Sequence, residues 1–140
     1  MQDHTSIAAD LLLIVLTMLG QPQLDVPRTV AIEPQILQER VCGRKCKVFA
    51  WYSPEGTIYL DKRLNLKQNI FARGVLVHEL MHHVQRMRTG HAAKNCREWE
   101  QRERTAYAVQ SQWLRRQGVR TAGLMRQARL VRCSMPSSHG

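Results

Sequence analysis

The chain has 140 residues, enough for one domain with a modest core. Its 44% hydrophobic and 23% charged residues are the proportions of a globular protein, not of a disordered or fibrous one. A net charge of +10 suits anionic partners, yet no nucleic-acid recognition motif accompanies the excess, which is mostly Arg and has no acidic residue after Glu103 to offset it.

The chain opens with a polar stretch to Ser6, followed by a strongly apolar run from Ile7 to Gly20. The pattern predicts a buried helix, capped near Thr5 or Ser6 and stopped by Gly20 and Pro22. A signal sequence is the alternative, with Leu11 to Leu19 as its apolar core. Against it, Asp3 and Asp10 stand where basic residues belong, and no clear cleavage site follows. At a helical rise the run covers only about 21 Å of a roughly 30 Å hydrocarbon layer, so no transmembrane anchor is predicted.

After a turn-rich connector, Arg28 to Ile32 reads as a short strand, and Pro34 opens a brief helix to about Val41. Cys42 and Cys46 then bracket a tight loop in which a disulfide is geometrically feasible; Cys96 and Cys133 stand apart, and two free thiols are compatible with the spacing. Val48 to Tyr52 and Thr57 to Leu60 form a predicted hairpin around Ser53-Pro54-Glu55-Gly56. Two long helices follow, at about Ile70 to Arg88 and Cys96 to Gln117, each ended by a Gly. The expected architecture is α+β: a single domain over 1–118, then a basic tail over 119–140, with Arg126, Arg129 and Arg132, expected to be flexible.

The first long helix carries the chemistry. In Val75-Leu76-Val77-His78-Glu79-Leu80-Met81-His82-His83, the HExxH spacing puts His78 and His82 on one face a turn apart, where both imidazoles can close on one metal ion. Glu79 lies about 100° round, beside the metal axis, where a carboxylate can take a proton from activated water without being a ligand. The apolar flanks are those of a buried helix; a surface helix would carry Lys and Glu here.

A catalytic zinc wants a third protein ligand. The extension HExxHxxGxxH fails, because Gln85 and Arg88 occupy its Gly and His positions. The second helix offers Glu98, Glu100 and Glu103. Glu103 shares a stripe with Glu100, Tyr107 and Gln110, whereas Glu98 lies about 140° away. Glu103 is therefore the expected ligand and Glu100 the alternative. The remaining carboxylates would pair with Arg97, Arg102 and Arg104 on the surface. Tyr107 and His83, about 40° from Glu79, are candidate donors to a developing oxyanion.

The order Cys42-x-x-x-Cys46, Trp51-Tyr52, Gly56-x-Ile58-Tyr59-Leu60-Asp61, the HExxH stretch through Gln85, Cys96, and Arg102-Glu103-x-x-Ala106-Tyr107-x-x-Gln110-x-x-Trp113-Leu114 resembles the small bacterial DUF6647-type zincin-like proteins over about residues 7 to 118. The resemblance implies a minimal zincin-like domain of the gluzincin type, with His78 and His82 as ligands, Glu79 as acid/base and Glu103 in the downstream position. The family's pattern carries Glu-x-Glu-Ala-Tyr there, and Thr105 occupies the second Glu.

The function expected is a zinc-dependent hydrolase, a metallopeptidase acting on a peptide or protein substrate. The rival is a basic nucleic-acid- or partner-binding protein whose metal is structural or vestigial. A Cys42–Cys46 disulfide or a signal sequence would place the protein in the periplasm or outside the cell; without either it would be cytoplasmic.

Overall fold

The structure, a computed structural model, describes residues 2–133. A four-stranded sheet in the order β1-β2-β4-β3 is built from β1 (Gln2–Asp3), β2 (Thr29–Ile32), β3 (Ala50–Tyr52) and β4 (Ile58–Asp61). β2 and β4 run parallel; β1 and β3 pair antiparallel on the outside. Side chains alternate across the sheet as the pleat requires. On β4, Ile58 and Leu60 enter the main core, while Tyr59 faces the other way with Val30, Ile32, Leu37, Val48 and Trp51. That second layer lies under α2 (Pro34–Cys42), which begins on Pro34 because a fixed φ suits the first helical turn.

The main core joins three helices to the sheet. α1 (Thr5–Leu19) contributes Ala8, Leu11, Leu12, Val15 and Leu16 at helical spacing. It ends on Gly20, whose positive φ of 63° is a left-handed cap that glycine adopts without penalty. α3 (Ile70–Thr89) adds Leu76, Val77, Leu80 and Val84, and α4 (Cys96–Arg116) adds Ala106, Val109, Trp113 and Leu114. Each of these two helices starts on an asparagine cap. Asn69 accepts from the N–H groups of Phe71 and Ala72 (2.9 and 3.2 Å), and Asn95 from that of Glu98 (2.9 Å).

α3 and α4 make the most extensive packing contact in the molecule, and glycine permits part of it. A Cβ at Gly74 would stand 3.1 Å from Cδ2 of Leu114 and 3.3 Å from its Cδ1 and Cγ. The close approach one turn before His78 is what brings the α4 carboxylates within reach of the α3 imidazoles.

Two expectations need correction. The basic tail was expected to be flexible from residue 119, but Ala122–Arg129 forms a helix, α5, on α4. Leu124 packs against the core and Ala128 is buried, which stabilises a segment whose apolar periodicity is weak. The rest of that tail, 134–140, lies outside the described residues. Cys96 and Cys133, read as standing apart, are paired and tie the chain after α5 to the start of α4, while the disulfide feasible from the spacing of Cys42 and Cys46 closes the loop after α2. β1 was not expected either, since two polar residues carry no strand signal until β2 is there to pair with them. Among the described residues no helix is long and apolar enough to cross a membrane.

Candidate metal centre

α3 presents His78 and His82 toward α4, and α4 answers with Glu103. Nε2 of His78 lies 3.1 Å from Oε1 of Glu103, and Nε2 of His82 lies 2.5 Å from Oε2. One ligand atom from each of the three residues falls within 4.8 Å of the others, a group able to hold a metal ion. Of the other two α4 carboxylates, Glu98 pairs with Arg102 at 2.9 Å, and Glu100 accepts from the backbone N–H of Cys133 at 2.9 Å. Neither meets the imidazoles.

The partners of the far ring nitrogens decide what the near ones offer. Gln85 donates its amide N–H to the Arg102 carbonyl (3.0 Å), so its oxygen must face His82 and accept from Nδ1–H at 2.9 Å. Gln110 holds Nδ1 of His78 in the same way at 3.0 Å. With Nδ1 protonated, the Nε2 atoms of neutral rings point lone pairs at the Glu103 carboxylate. Lone pairs facing lone pairs at such distances require a cation between them, a proton or a metal. Without metal the proton serves. Burial would lower the His82 pKa, but the hydrogen bond and charge of Glu103, with help from Glu79 and Gln85, outweigh it and raise the pKa to about 9. The converse holds for Glu103: burial would raise its carboxyl, and the hydrogen bonds from His78 and His82 outweigh burial and hold it well below the usual range. Two imidazoles and a carboxylate with oriented partners fit a divalent transition metal.

Glu79 faces a cavity of about 450 Å³ whose wall also includes His82, Glu103, Trp51 and Trp99. Burial pushes its carboxyl up and the Glu103 charge adds to that, against the opposing pull of both imidazoles and the Tyr52 backbone N–H. The last contact follows from strand geometry. Phe49 bonds across to Asp61 of β4 (2.8 Å) and Ser53 to Thr57 just before it (2.9 Å), so Ala50 and Tyr52 turn their backbone groups to the outer edge of the sheet, toward α3.

His83 was expected to reach the cleft, and it does not. Its Nε2–H donates to the Asp25 carbonyl (2.8 Å) and Nδ1 accepts from the Tyr52 hydroxyl (3.0 Å), which uses both nitrogens in a buried structural link. Burial lowers its pKa, as befits a neutral ring. Tyr107 packs edge-on against His78 with centroids 4.5 Å apart, and its hydroxyl accepts from Gln127 of α5 at 3.3 Å. It touches the site through His78 and is not part of the cavity lining. Sequence reasoning missed Gln85 as the support of His82, although its i+3 spacing from His82 put it on the same face.

Residues 21–128 match the sequence profile of a family described as Domain of unknown function (DUF6647). The chain belongs to the DUF6647 family. The matched region spans β2 to most of α5 and contains every residue of the His-His-Glu cluster, so the centre is part of the DUF6647 domain itself. No curated protein and no solved structure matches the chain.

Proposed function

We propose that the protein is a zinc-dependent hydrolase, and specifically a peptidase of minimal zincin-like, gluzincin-type design. The observation that supports this most is the convergence of His78, His82 and Glu103 with the Glu79 carboxylate on the wall of the same cavity. Zinc held by that trio would supply Lewis acidity, lowering the pKa of water toward about 7 and polarising a carbonyl.

The chain's own residues supply the rest. Glu79, its carboxyl raised by burial, takes a proton from the attacking water and returns it to the leaving nitrogen as the C–N bond breaks. Gln85 and Gln110 orient the imidazoles, and Tyr107 braces the His78 ring. An extended peptide laid along the outer edge of β3 passes the Glu79 carboxylate, with Ala50 offering backbone groups to pair with it. The two disulfides further support residence in an oxidising compartment, periplasmic or extracellular.

The test is cleavage of an unfolded protein by the zinc-loaded enzyme. Activity is expected to vanish with chelation and in Glu79→Gln, while Glu79→Gln still binds one zinc. Undiminished cleavage by that variant sinks the reading.

A further inference from the structure

The cavity beside the candidate metal centre is lined by two guanidinium groups, and among the described residues only one of them pairs with a carboxylate. Arg102 pairs with Glu98 (2.9 Å) and donates to the His91 carbonyl and the Thr89 hydroxyl, each at 3.0 Å. Arg86 has neutral partners. It donates to the Ser53 carbonyl at 3.3 Å, and its guanidinium carbon sits 6.0 Å from the centroid of the Tyr52 ring. Among the described residues no carboxylate is within ion-pair distance of it. Tyr52 donates its hydroxyl proton to His83 at 3.0 Å, which fixes its ring beside Arg86.

A half-buried cation in the wall of a cavity, braced by a neutral carbonyl and an aromatic ring, is arranged to receive an anion from outside the chain. Arg86 follows His82 by four residues, so it lies on the same face of α3, about 6 Å further along. Extended peptide advances about 3.3 Å per residue, which makes that offset one or two residues of substrate. The cavity's remaining carboxylates, Glu79 and Glu103, belong to the metal end, so charge in the cavity is divided: acidic at the chemistry, cationic one turn away.

We propose that Arg86 is a specificity-determining residue that binds a substrate carboxylate within two residues of the scissile bond. The carboxylate is either the chain-terminal group or an Asp or Glu side chain. The proposal rests on the hydrolase reading for the word substrate, and it adds a charge preference that reading does not contain.

The rate experiment uses N-acetylated peptides in matched forms with the zinc-loaded protein: free C-terminus against C-terminal amide, and internal Glu against Gln. The wild type is expected to show at least a tenfold loss in kcat/KM when the relevant carboxylate is neutralised, and the pair that shows it identifies the source. Arg86→Met should lower the rate on the charged peptide to that of its neutral counterpart and leave the neutral one unchanged; Arg86→Lys should retain part of the preference. Equal rates on charged and neutral forms, with Glu79→Gln inactive, overturn the assignment while leaving the peptidase reading intact. If no peptide is cleaved the peptidase reading fails, and calorimetry on the metal-free protein decides Arg86 separately. There, acetyl-dialanine and acetyl-Ala-Glu-amide are the carboxylate probes, and acetyl-dialanine amide is the neutral one. Tighter binding of at least one carboxylate probe, abolished in Arg86→Met, supports the site; affinity indifferent to charge and to the substitution overturns it.

Discussion

Gly74 lets α3 and α4 approach closely, and the candidate metal centre spans that contact. Replacing it with alanine adds a methyl 3.1–3.3 Å from three carbons of Leu114, itself 2% exposed and unable to swing into solvent. Alanine gains about 0.5–1 kcal/mol over glycine within a helix. Overpacking a filled core costs about 1–3 kcal/mol. The expected net is a loss of about 1–2 kcal/mol, or roughly 3–8 °C in Tm for a domain of this size. Leu114→Ala alone should cost about 2–5 kcal/mol through the cavity it leaves. In that background the obstructing carbons are gone, so Gly74→Ala should be neutral or stabilising by up to about 1 kcal/mol, a coupling of about 2 kcal/mol between the two positions. Urea unfolding of the four proteins without metal measures this, provided the slope with denaturant stays constant. An effect of Gly74→Ala that is equal in both backgrounds, or that stabilises the wild type, refutes the close-approach argument.

Three other outcomes follow from the structure. Gln110→Leu and Gln85→Leu each release one imidazole, and each should weaken zinc binding about 10–100-fold in a competition titration, with His78→Ala losing it altogether. Asp61 is buried and accepts from the Arg63 backbone (2.9 Å) and guanidinium (2.6 Å), and the Arg63 hydrogen bonds hold its carboxyl below the ordinary value of 3.8. A depressed carboxyl stabilises the fold above its unfolded pKa and loses that contribution as pH falls through the folded one, so Asp61→Asn should flatten the stability curve below about pH 4. Cys133→Ser opens a loop closed at a sequence separation of 37 and should cost about 3–4 kcal/mol by the chain-entropy relation, measured by denaturation without reductant; a loss under about 1 kcal/mol would show that α5 holds its place by packing alone.

The long elements were legible because their signals are local. α3 and α4 follow from helical spacing and terminal Gly, and the hairpin follows from Ser53-Pro54-Glu55-Gly56 between two β-prone runs. What was not legible depends on partners distant in sequence. β1 exists because Ala31 and Val30 offer it an edge, β2 and β4 run parallel across an intervening helix and strand, and α5 is held by Leu124, Ala128 and the Cys96 link. The same division runs through the site. Spacing placed His78 and His82 on one face, but the two nitrogens of His83 are taken by Asp25 and Tyr52, residues that no helical wheel brings near it.

The candidate metal centre is defined as much by the glutamines as by its three converging side chains. Arg102 offers only a carbonyl to Gln85, which fixes the amide, which fixes the His82 tautomer, which leaves a lone pair facing a carboxylate at 2.5 Å. Without metal a proton fills that place: the His82–Glu103 hydrogen bond and the Glu103 charge outweigh burial and raise the His82 pKa to about 9. Arg86 shows the complementary pattern one turn on: a positive group whose partners are a neutral carbonyl and an aromatic ring, in a cavity where the acids belong to the other end. The cavity wall thus carries acids at one end and the Arg86 guanidinium at the other, about 6 Å and one helical turn apart, and on the peptidase reading proposed above that offset is one or two residues of an extended substrate.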